Sequence, residues 1–158
     1  MKLSTKGRYG VRLMTELALH YREKPVFLKT IAGRQGISEK YLWNLIQPLK
    51  AAGLVGSARG PRGGYFLIKP PREVTLYDIV RVLEGPLCLV DCEENPAVCA
   101  RSKDCISREV WKEASRRIVQ TLEQFTLAEI TEKEREKRLS GGEDFSQDSE
   151  TKQTGKDP

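Results

Sequence analysis

Apolar residues recur at steps of three and four along much of this chain, which is the spacing of one face of an α-helix. The clearest stretch begins at Ser38, which can cap a first turn, and ends before Gly53, which can take the left-handed conformation that closes a helix. Its apolar positions are Leu42, Leu45, Ile46 and Leu49. The pattern predicts a helix over residues 38 to 52, whose other faces, with Tyr41 and Asn44, can meet a partner.

Two short runs of strand-forming residues follow this helix, at residues 54 to 57 and 65 to 68. Between them, the segment GPRGG at residues 60 to 64 has the glycines and proline of a tight turn. Arg59 and Arg62 lie at the turn. The sequence therefore predicts a β-hairpin with a basic tip.

Capping signals and the same periodicity predict the other helices. Thr75 with Asp78, and Thr126 with Glu129, have the spacing of capping boxes. The helices are predicted over residues 5 to 22, 28 to 34, 76 to 84, 106 to 125, and from 126 into a charged run that frays towards residue 139. With a turn at Gly36 and the hairpin, they predict a mainly α fold, a winged helix-turn-helix followed by a long dimerisation helix.

Breaks in the pattern divide the chain into three parts. Two prolines, Pro70 and Pro71, predict a hinge, so residues 1–72 form a winged-helix DNA-binding domain. Residues 73–130 hold the cysteines in a loop and the dimerisation helix. Residues 131–158 form a charged tail, and the polar composition from residue 140 onward predicts disorder.

Charge is distributed unevenly along the chain. Residues 1–72 hold 14 Lys and Arg against 3 Asp and Glu, a net charge of +11, whereas residues 73–158 hold 13 against 19, a net charge of −6. A basic field of this kind attracts a polyanion, because binding releases counterions from phosphates. Double-stranded DNA is therefore favoured over the alternative of a solvated lysine-rich surface.

Composition narrows the class of protein further. With 39% hydrophobic and 31% charged residues among 158, the chain is typical of a globular protein. No apolar run approaches the roughly 20 residues of a membrane span, and the start lacks the apolar core of a signal peptide, so we expect a cytoplasmic protein that does not bind membranes. The single histidine, His20, and the lack of a Ser/His/Asp set argue against an enzyme.

The cysteines lie in one segment, separated by three, six and five residues: Cys88, Cys92, Cys99 and Cys105. In a reducing compartment such cysteines are more often metal ligands or redox groups than disulfides. Their spacing differs from the paired knuckles of a zinc ribbon and suits an iron–sulfur cluster, which tolerates irregular spacing. A cluster is favoured, and zinc, a thiol switch and an iron–sulfur carrier stay open as alternatives.

The helix predicted over residues 106 to 125 has a long apolar stripe that needs a partner. The stripe consists of Val110, Trp111, Ala114, Ile118, Leu122 and Phe125. Two-fold operators are bound by two-fold dimers, so the stripe predicts a homodimer contact. The alternative is that Trp111 and Phe125 close the core of the monomer.

Several motifs, in order and spacing, resemble the Rrf2 family of bacterial winged-helix regulators, especially its IscR-type members. They are the opening MKLSTKGRYGVRLMTELALHY, the ISEKYL…PLKAAGLV helix, the RGPRGGYFL hairpin and a cysteine loop followed by CISREVWKEAS, and they cover about residues 1 to 135. The resemblance implies a homodimeric repressor or activator that binds a palindromic operator and controls iron–sulfur cluster assembly genes. It also implies a 2Fe-2S cluster held by three loop cysteines, or a 4Fe-4S cluster in nitric-oxide sensors.

Matching positions carry the family's roles to this chain as expectations. The resemblance implies that the cluster ligands are Cys92, Cys99 and Cys105, with Cys88 a possible fourth. It implies that the residues facing DNA are Ser38, Tyr41, Asn44 and Arg59, with Arg62 as a further contact. Filling, oxidising or losing the cluster is then expected to reshape the loop at residues 86 to 106 and so to change DNA affinity.

Two positions depart from the IscR pattern. Arg108 replaces a histidine three residues after the last cysteine, so the fourth ligand is open among Cys88, a carboxylate such as Glu109 or one of Glu93 and Glu94, and a residue of the other subunit. Trp43 replaces a glutamate of the recognition helix. That change of charge bears on sequence preference and not on DNA binding itself.

Overall fold

The computed structural model describes residues 3 to 140, and within them the fold is mainly helical with one antiparallel hairpin. The helices are α1 (Thr5–Leu19), α2 (Leu28–Gln35), α3 (Glu39–Ala51), α4 (Leu76–Glu84), α5 (Asp91–Glu94), α6 (Ile106–Gln124) and α7 (Leu127–Ser140), and the strands are β1 (Val55–Ala58) and β2 (Gly64–Leu67). Single 3₁₀ turns occur at Pro71–Glu73 and Pro96–Val98. The order of α2, α3 and hairpin confirms the predicted fold class. We call the segment from β1 through β2 the wing.

Local capping signals place most of the helix boundaries. The Ser38 hydroxyl accepts a hydrogen bond from the backbone N–H of Tyr41 at 3.2 Å, and Gly53 takes a positive φ of 72° just after α3. Thr75 and Asp78 form a reciprocal capping box, and α4 has the predicted bounds. The strands, by contrast, begin one residue from their predicted positions, since their register depends on pairing across the hairpin.

One apolar core joins the N-terminal helices, the wing and the start of α7. Its largest fully buried side chains include Leu13, Met14, Leu17, Ile31, Leu42, Ile46, Leu49, Ile79 and Leu127. Burial of each such side chain contributes about 1.5–3 kcal/mol relative to leaving it in water. The core therefore holds the buried face of α3 firmly and leaves its opposite face in solvent.

The wing is wider than its two named strands. Val26 pairs with Tyr65 through backbone hydrogen bonds in both directions, at 2.9 and 2.8 Å, so the segment before α2 lies beside β2. Gly64 permits this approach, because a Cβ at its position would lie 2.6 Å from the carbonyl oxygen of Val26 and its φ is 130°. Val26 thus extends the hairpin by one antiparallel bridge on the free side of β2.

Helix α6 leaves most of its apolar surface in solvent. Ile106 is 80% exposed, Val110 58%, Trp111 45%, and Phe125, just past its end, 41%. The monomer core therefore does not enclose Trp111 and Phe125, which was the alternative to a dimer contact.

Helix α7 continues to Ser140, whereas the sequence predicts that the charged run frays. The helix persists because two of its arginines contact α1. Arg135 donates to the carbonyl oxygen of Leu19 at 3.3 Å, and Arg138 binds the buried carboxylate of Glu16. Ser140, where the sequence predicts that disorder begins, is instead the last residue of α7, and residues 141–158 of the predicted tail lie outside the described residues. No helix within residues 3–140 is both long and apolar enough to cross a membrane.

Candidate nucleic-acid interface and cysteine loop

The face of α3 that points away from the core carries polar, basic and aromatic side chains. Lys40, Trp43 and Asn44 are exposed, and Ser38 is exposed at the N-terminal cap. Trp43 keeps 52% of its surface in solvent although it is one of the largest apolar side chains of the helix. A helix of this width fits the major groove, and such side chains can reach base edges or a thymine methyl group.

Tyr41 differs from the other predicted DNA-contacting residues because it is half-buried. Its ring meets the ring of Tyr9 edge to face, with centroids 5.8 Å apart and planes at 85°. Aromatic pairs of this geometry stabilise each other by about 0.5–1.5 kcal/mol. Tyr41 therefore joins α3 to α1 as well as facing the predicted partner.

The tip of the wing presents two exposed arginines. The N–H of Gly63 donates to the carbonyl oxygen of Gly60 at 2.9 Å, which closes a tight turn beside Arg59 and Arg62. Within residues 3–140 neither arginine has a salt-bridge partner, so both guanidinium groups can bind phosphate or enter a minor groove.

A cleft of about 550 Å³ separates the wing from the starts of α2 and α3. Its walls include Phe27, Lys29, Glu39, Arg59 and Tyr65. Its lining carries two cationic side chains, Lys29 and Arg59, against one carboxylate, Glu39.

Lys50 holds the wing against the C-terminal end of α3. Its Nζ donates to the hydroxyl of Ser57 at 2.9 Å and lies 6.0 Å from the centre of the Tyr65 ring. The helix and the hairpin are thus held as one surface.

The cysteine loop, residues 85–105, packs beside α6 with all four thiols free. Cys92 and Cys105 are half-buried, and Cys99 is exposed. Cys105 is the N-terminal cap residue of α6 and makes no side-chain capping bond there. The Cys105 thiol is therefore not used in capping and is available to a metal, which cysteine binds through its sulfur.

Within residues 3–140, no three Cys, His, Asp or Glu side chains are arranged as a metal site. The donor chemistry nevertheless fits an iron–sulfur cluster, since three free thiols lie in one loop and thiolates are the ligands such clusters prefer. Assignment of Cys92, Cys99 and Cys105 as ligands stays a prediction.

Arg108, which stands where the resemblance expects histidine, fastens the loop through its backbone. Its Nε donates to the carbonyl oxygen of Cys92 at 2.8 Å and its Nη1 to that of Ser102 at 3.4 Å. A guanidinium has no lone pair to offer a metal, so Arg108 is not a ligand. Its guanidinium therefore binds the backbone at both ends of the Cys92–Ser102 segment.

A second attachment lies about two turns further along α6. The buried hydroxyl of Ser115 accepts from the N–H of Leu89 and donates to the carboxylate of Glu93, each at 3.0 Å. Helix α6 therefore holds the loop on both sides of Cys92.

Cys88 lies in surroundings that oppose ionisation. Burial and the negative charges of Glu93 and Glu94 raise the pKa of its thiol. A metal ligand must lose this proton, so Cys88 enters a cluster less readily than an unhindered thiol. Its role as fourth ligand stays a prediction, with this feature against it.

Replacing Arg108 with methionine is expected to loosen the loop without unfolding the protein. The variant removes two hydrogen bonds from a charged donor, and we expect amide exchange over residues 92 to 102 to become about tenfold faster. Arg117→Met is the matched control, because Arg117 lies on the same helix, is 75% exposed and, within residues 3–140, forms an ion pair only with Glu113. Hydrogen exchange with mass spectrometry on the metal-free protein measures the difference, and equal exchange in the two variants would contradict the role given to Arg108.

Sequence reasoning missed the residues that connect elements. No local motif identified these residues, because the hydrogen-bond partners of Arg12, Gln35 and Ser115 lie far along the chain. The sequence offered one local signal: Arg12 and Glu16 lie four residues apart, which places two side chains of opposite charge on the same face of a helix.

Comparison with known proteins agrees with this architecture. The family model Rrf2, described as an iron-dependent transcriptional regulator, matches residues 3–133. The protein rrf2 of Nitratidesulfovibrio vulgaris is 42% identical over 130 residues, which is 82% of this chain and 87% of that protein. Among solved structures, CymR, described as the global cysteine regulator of B. subtilis, has a TM-score of 0.70 at 41% identity, covering 84% of this chain and 98% of its own. T. potens IscR has a TM-score of 0.70 at 43% identity, covering 86% and 90%.

A helix-turn-helix with an exposed basic helix face and a basic hairpin defines a winged-helix DNA-binding protein. The matches cover most of the chain, and they place it in a single family. This chain belongs to the Rrf2 family of transcriptional regulators, which confirms the resemblance drawn from the motifs.

Proposed function

We propose that this chain acts as a homodimer on an inverted-repeat operator, and that an iron–sulfur cluster of the 2Fe-2S type at Cys92, Cys99 and Cys105 sets its affinity. The observation that carries the proposal is that a basic helix-and-wing surface and a loop of free thiols occur in one fold. The exposed face of α3 and the basic wing share one core with α1 and α7, and the free thiols Cys92, Cys99 and Cys105 lie in a loop fastened to α6. As in the IscR-type regulators it resembles, the targets would include genes of iron–sulfur cluster assembly.

The dimer part is supported by the exposed apolar residues of α6. A monomer gains no stability from leaving Ile106, Val110 and Trp111 in water, and a second copy related by a two-fold axis would cover them. Such an axis would relate two α3 helices, and two-fold dimers of this class read half-sites about one DNA turn apart, so an inverted repeat is the expected operator.

The DNA part is supported by the free charges of the wing and the exposed face of α3. Ser38, Asn44 and Arg59 are exposed, and Tyr41 reaches the same side while packing on Tyr9. Arg62 adds a second cation at the wing tip. Phosphate contacts by these residues would give affinity that falls steeply as salt rises.

The sensing part is supported by the thiols and by the way α6 holds their loop. A bound cluster supplies a group whose oxidation state and presence vary with iron and redox conditions. The protein's contribution is to hold the three thiols on a loop whose backbone is tied to α6 by Arg108 and Ser115. Cluster binding can change DNA affinity only by the difference in its affinity for the two loop arrangements.

Anaerobic reconstitution tests the proposal. Native protein is loaded with ferrous iron and sulfide, and its affinity is measured on an inverted-repeat duplex selected from a randomised pool, beside chelator-treated protein. We expect visible charge-transfer absorption and a change of about tenfold in dissociation constant. Failure to bind any duplex would remove the DNA part, and equal affinities with and without colour would remove the sensing part.

A second candidate is a thiol sensor on the same scaffold, favoured by the exposed thiol of Cys99 and by the likeness to CymR. Such a protein would stay colourless after iron loading. Its operator affinity would change on treatment with hydrogen peroxide and recover with dithiothreitol, because a sulfenic acid or disulfide is reversible. A zinc site would also be colourless but would respond to a chelator.

A further inference from the structure

A buried carboxylate connects α7 to the winged-helix part of the molecule. Glu16 of α1 is fully buried, with 0% of its surface exposed. Its Oε1 accepts from Nη2 of Arg138 at 2.5 Å and from Nε2 of Gln35 at 2.6 Å. Its Oε2 makes no hydrogen bond within residues 3–140 and lies 3.6 Å from Nη1 of Arg34. Because a buried charge is costly unless it is paired, the last turn of α7 supplies the close cation that this carboxylate needs.

Gln35 places this contact at the turn of the helix-turn-helix. It is the last residue of α2, directly before Gly36, whose left-handed φ of 62° begins the turn into α3. The side-chain oxygen of Gln35 accepts from Nε of Arg12 at 2.7 Å, and its backbone carbonyl oxygen accepts from Nη2 of Arg12 at 2.5 Å. Gln35 is therefore held from both sides by Arg12 and Glu16, one helical turn apart on α1.

From Arg12 the contacts continue to the recognition helix. The Arg12 guanidinium lies 5.3 Å from the centre of the Tyr9 ring, in cation–π range. Tyr9 in turn packs edge to face on Tyr41 of α3. An unbroken series of contacts thus runs from the end of α7 to the turn before α3 and to a side chain on α3 itself.

We propose that Arg138 is a positioning residue for DNA binding, which acts through Glu16 and Gln35 on the turn between α2 and α3. The proposal rests on the operator binding proposed above. Helix α7 follows α6 directly, and α6 holds the cysteine loop. A rearrangement of the loop that moves α6 would therefore reach α3 through this ion pair.

Loss of Arg138 would leave Glu16 with the Gln35 amide as its close donor. The carboxylate would then draw Arg34 or water towards it, and Gln35 would lose its fixed position between two partners. The turn before α3 is expected to become more mobile as a result.

The test compares Arg138→Met with Lys137→Met. Both remove one positive charge from the last turn of α7, and Lys137 is exposed. We expect Arg138→Met alone to weaken binding to the selected inverted-repeat duplex by about five- to tenfold, which is a coupling of ordinary size. On a scrambled duplex of the same length the two variants should match. Arg138→Lys, which restores the cation, should recover most of the affinity.

Two further measurements test whether Arg138 acts through Gln35 and the turn before α3. Without DNA, amide exchange over residues 36 to 44 should be faster in Arg138→Met than in Lys137→Met. In a Gln35→Leu background, Arg138→Met should cause no further loss of affinity, because the contact it acts through is already gone.

Equal affinities and equal exchange for Arg138→Met and Lys137→Met would overturn the proposal. So would losses from Arg138→Met and Gln35→Leu that simply add. If Arg138→Met fails to fold, Arg138→Gln, which removes the same positive charge but keeps a polar side chain, replaces it in each of these comparisons. Should the native protein bind no duplex, operator binding fails, while the exchange over residues 36 to 44 still tests the contact between α7 and the turn.

Discussion

Replacing Arg59 with alanine is expected to weaken operator binding by about five- to a hundredfold, since one well-placed arginine contact is worth about 1–3 kcal/mol. The side chain stands at the wing tip, exposed and without an ion-pair partner within residues 3–140. Its full charge is therefore available to DNA. This range is for one arginine contact, and in the proposed dimer, which would carry two wings, the loss on a whole operator would be larger.

Fluorescence anisotropy over a range of salt concentrations measures this effect. The slope of log affinity against log salt should fall by about one for each phosphate contact removed. Lys137→Ala is the control, because it removes one exposed charge from α7, away from the wing. If Arg59→Ala and Lys137→Ala weaken binding equally, the wing tip does not contact DNA. Arg62→Ala, measured beside them, reports the second cation of the tip.

Serine at Cys92, Cys99 or Cys105 is expected to abolish iron–sulfur loading, so that each variant stays colourless under conditions that colour the native protein. A hydroxyl does not ionise at neutral pH and cannot replace a thiolate on iron. The three thiols lie on one loop, and no other cysteine within residues 3–140 is available except Cys88. Loss of any one should therefore leave too few ligands.

Cys88→Ser is the matched control for this series. Because burial and the charges of Glu93 and Glu94 raise the pKa of this thiol, its loss is expected to lower the loaded fraction without abolishing colour. Visible absorption and iron content after anaerobic loading measure all four variants. Retention of full colour in Cys92→Ser, Cys99→Ser and Cys105→Ser would exclude these thiols as ligands and would favour the colourless thiol sensor.

Local signals were sufficient for most of the secondary structure. The capping box at Thr75 and Asp78 gave the bounds of α4, and Ser38 with Gly53 gave those of α3 to within a residue. Such signals act within one turn of the chain, so they can be read without knowing the fold. The hairpin strands shifted by a residue, since their ends depend on pairing with the opposite strand.

The charged end of α7 shows where local reasoning fails. The glutamates, lysines and arginines after residue 130 predict a fraying helix end, because no apolar partner lies near them in the sequence. The helix is held by Arg135 and Arg138, whose partners Leu19 and Glu16 lie more than a hundred residues earlier in the chain. No window of sequence contains both members of such a pair.

By itself, the sequence determined the class of the protein. The hydrophobic periodicity, the caps and the turn residues specify a helix-turn-helix with a wing, and the uneven charge marks the half that is expected to bind DNA. Only the tertiary structure decided how the parts are connected. It placed Arg108 across the backbone of the cysteine loop, left the apolar stripe of α6 in solvent, and joined Arg138 to the buried Glu16. The physical reason is separation along the chain. Caps and turns satisfy backbone groups of neighbouring residues, whereas these contacts involve residues that only the folded chain brings together.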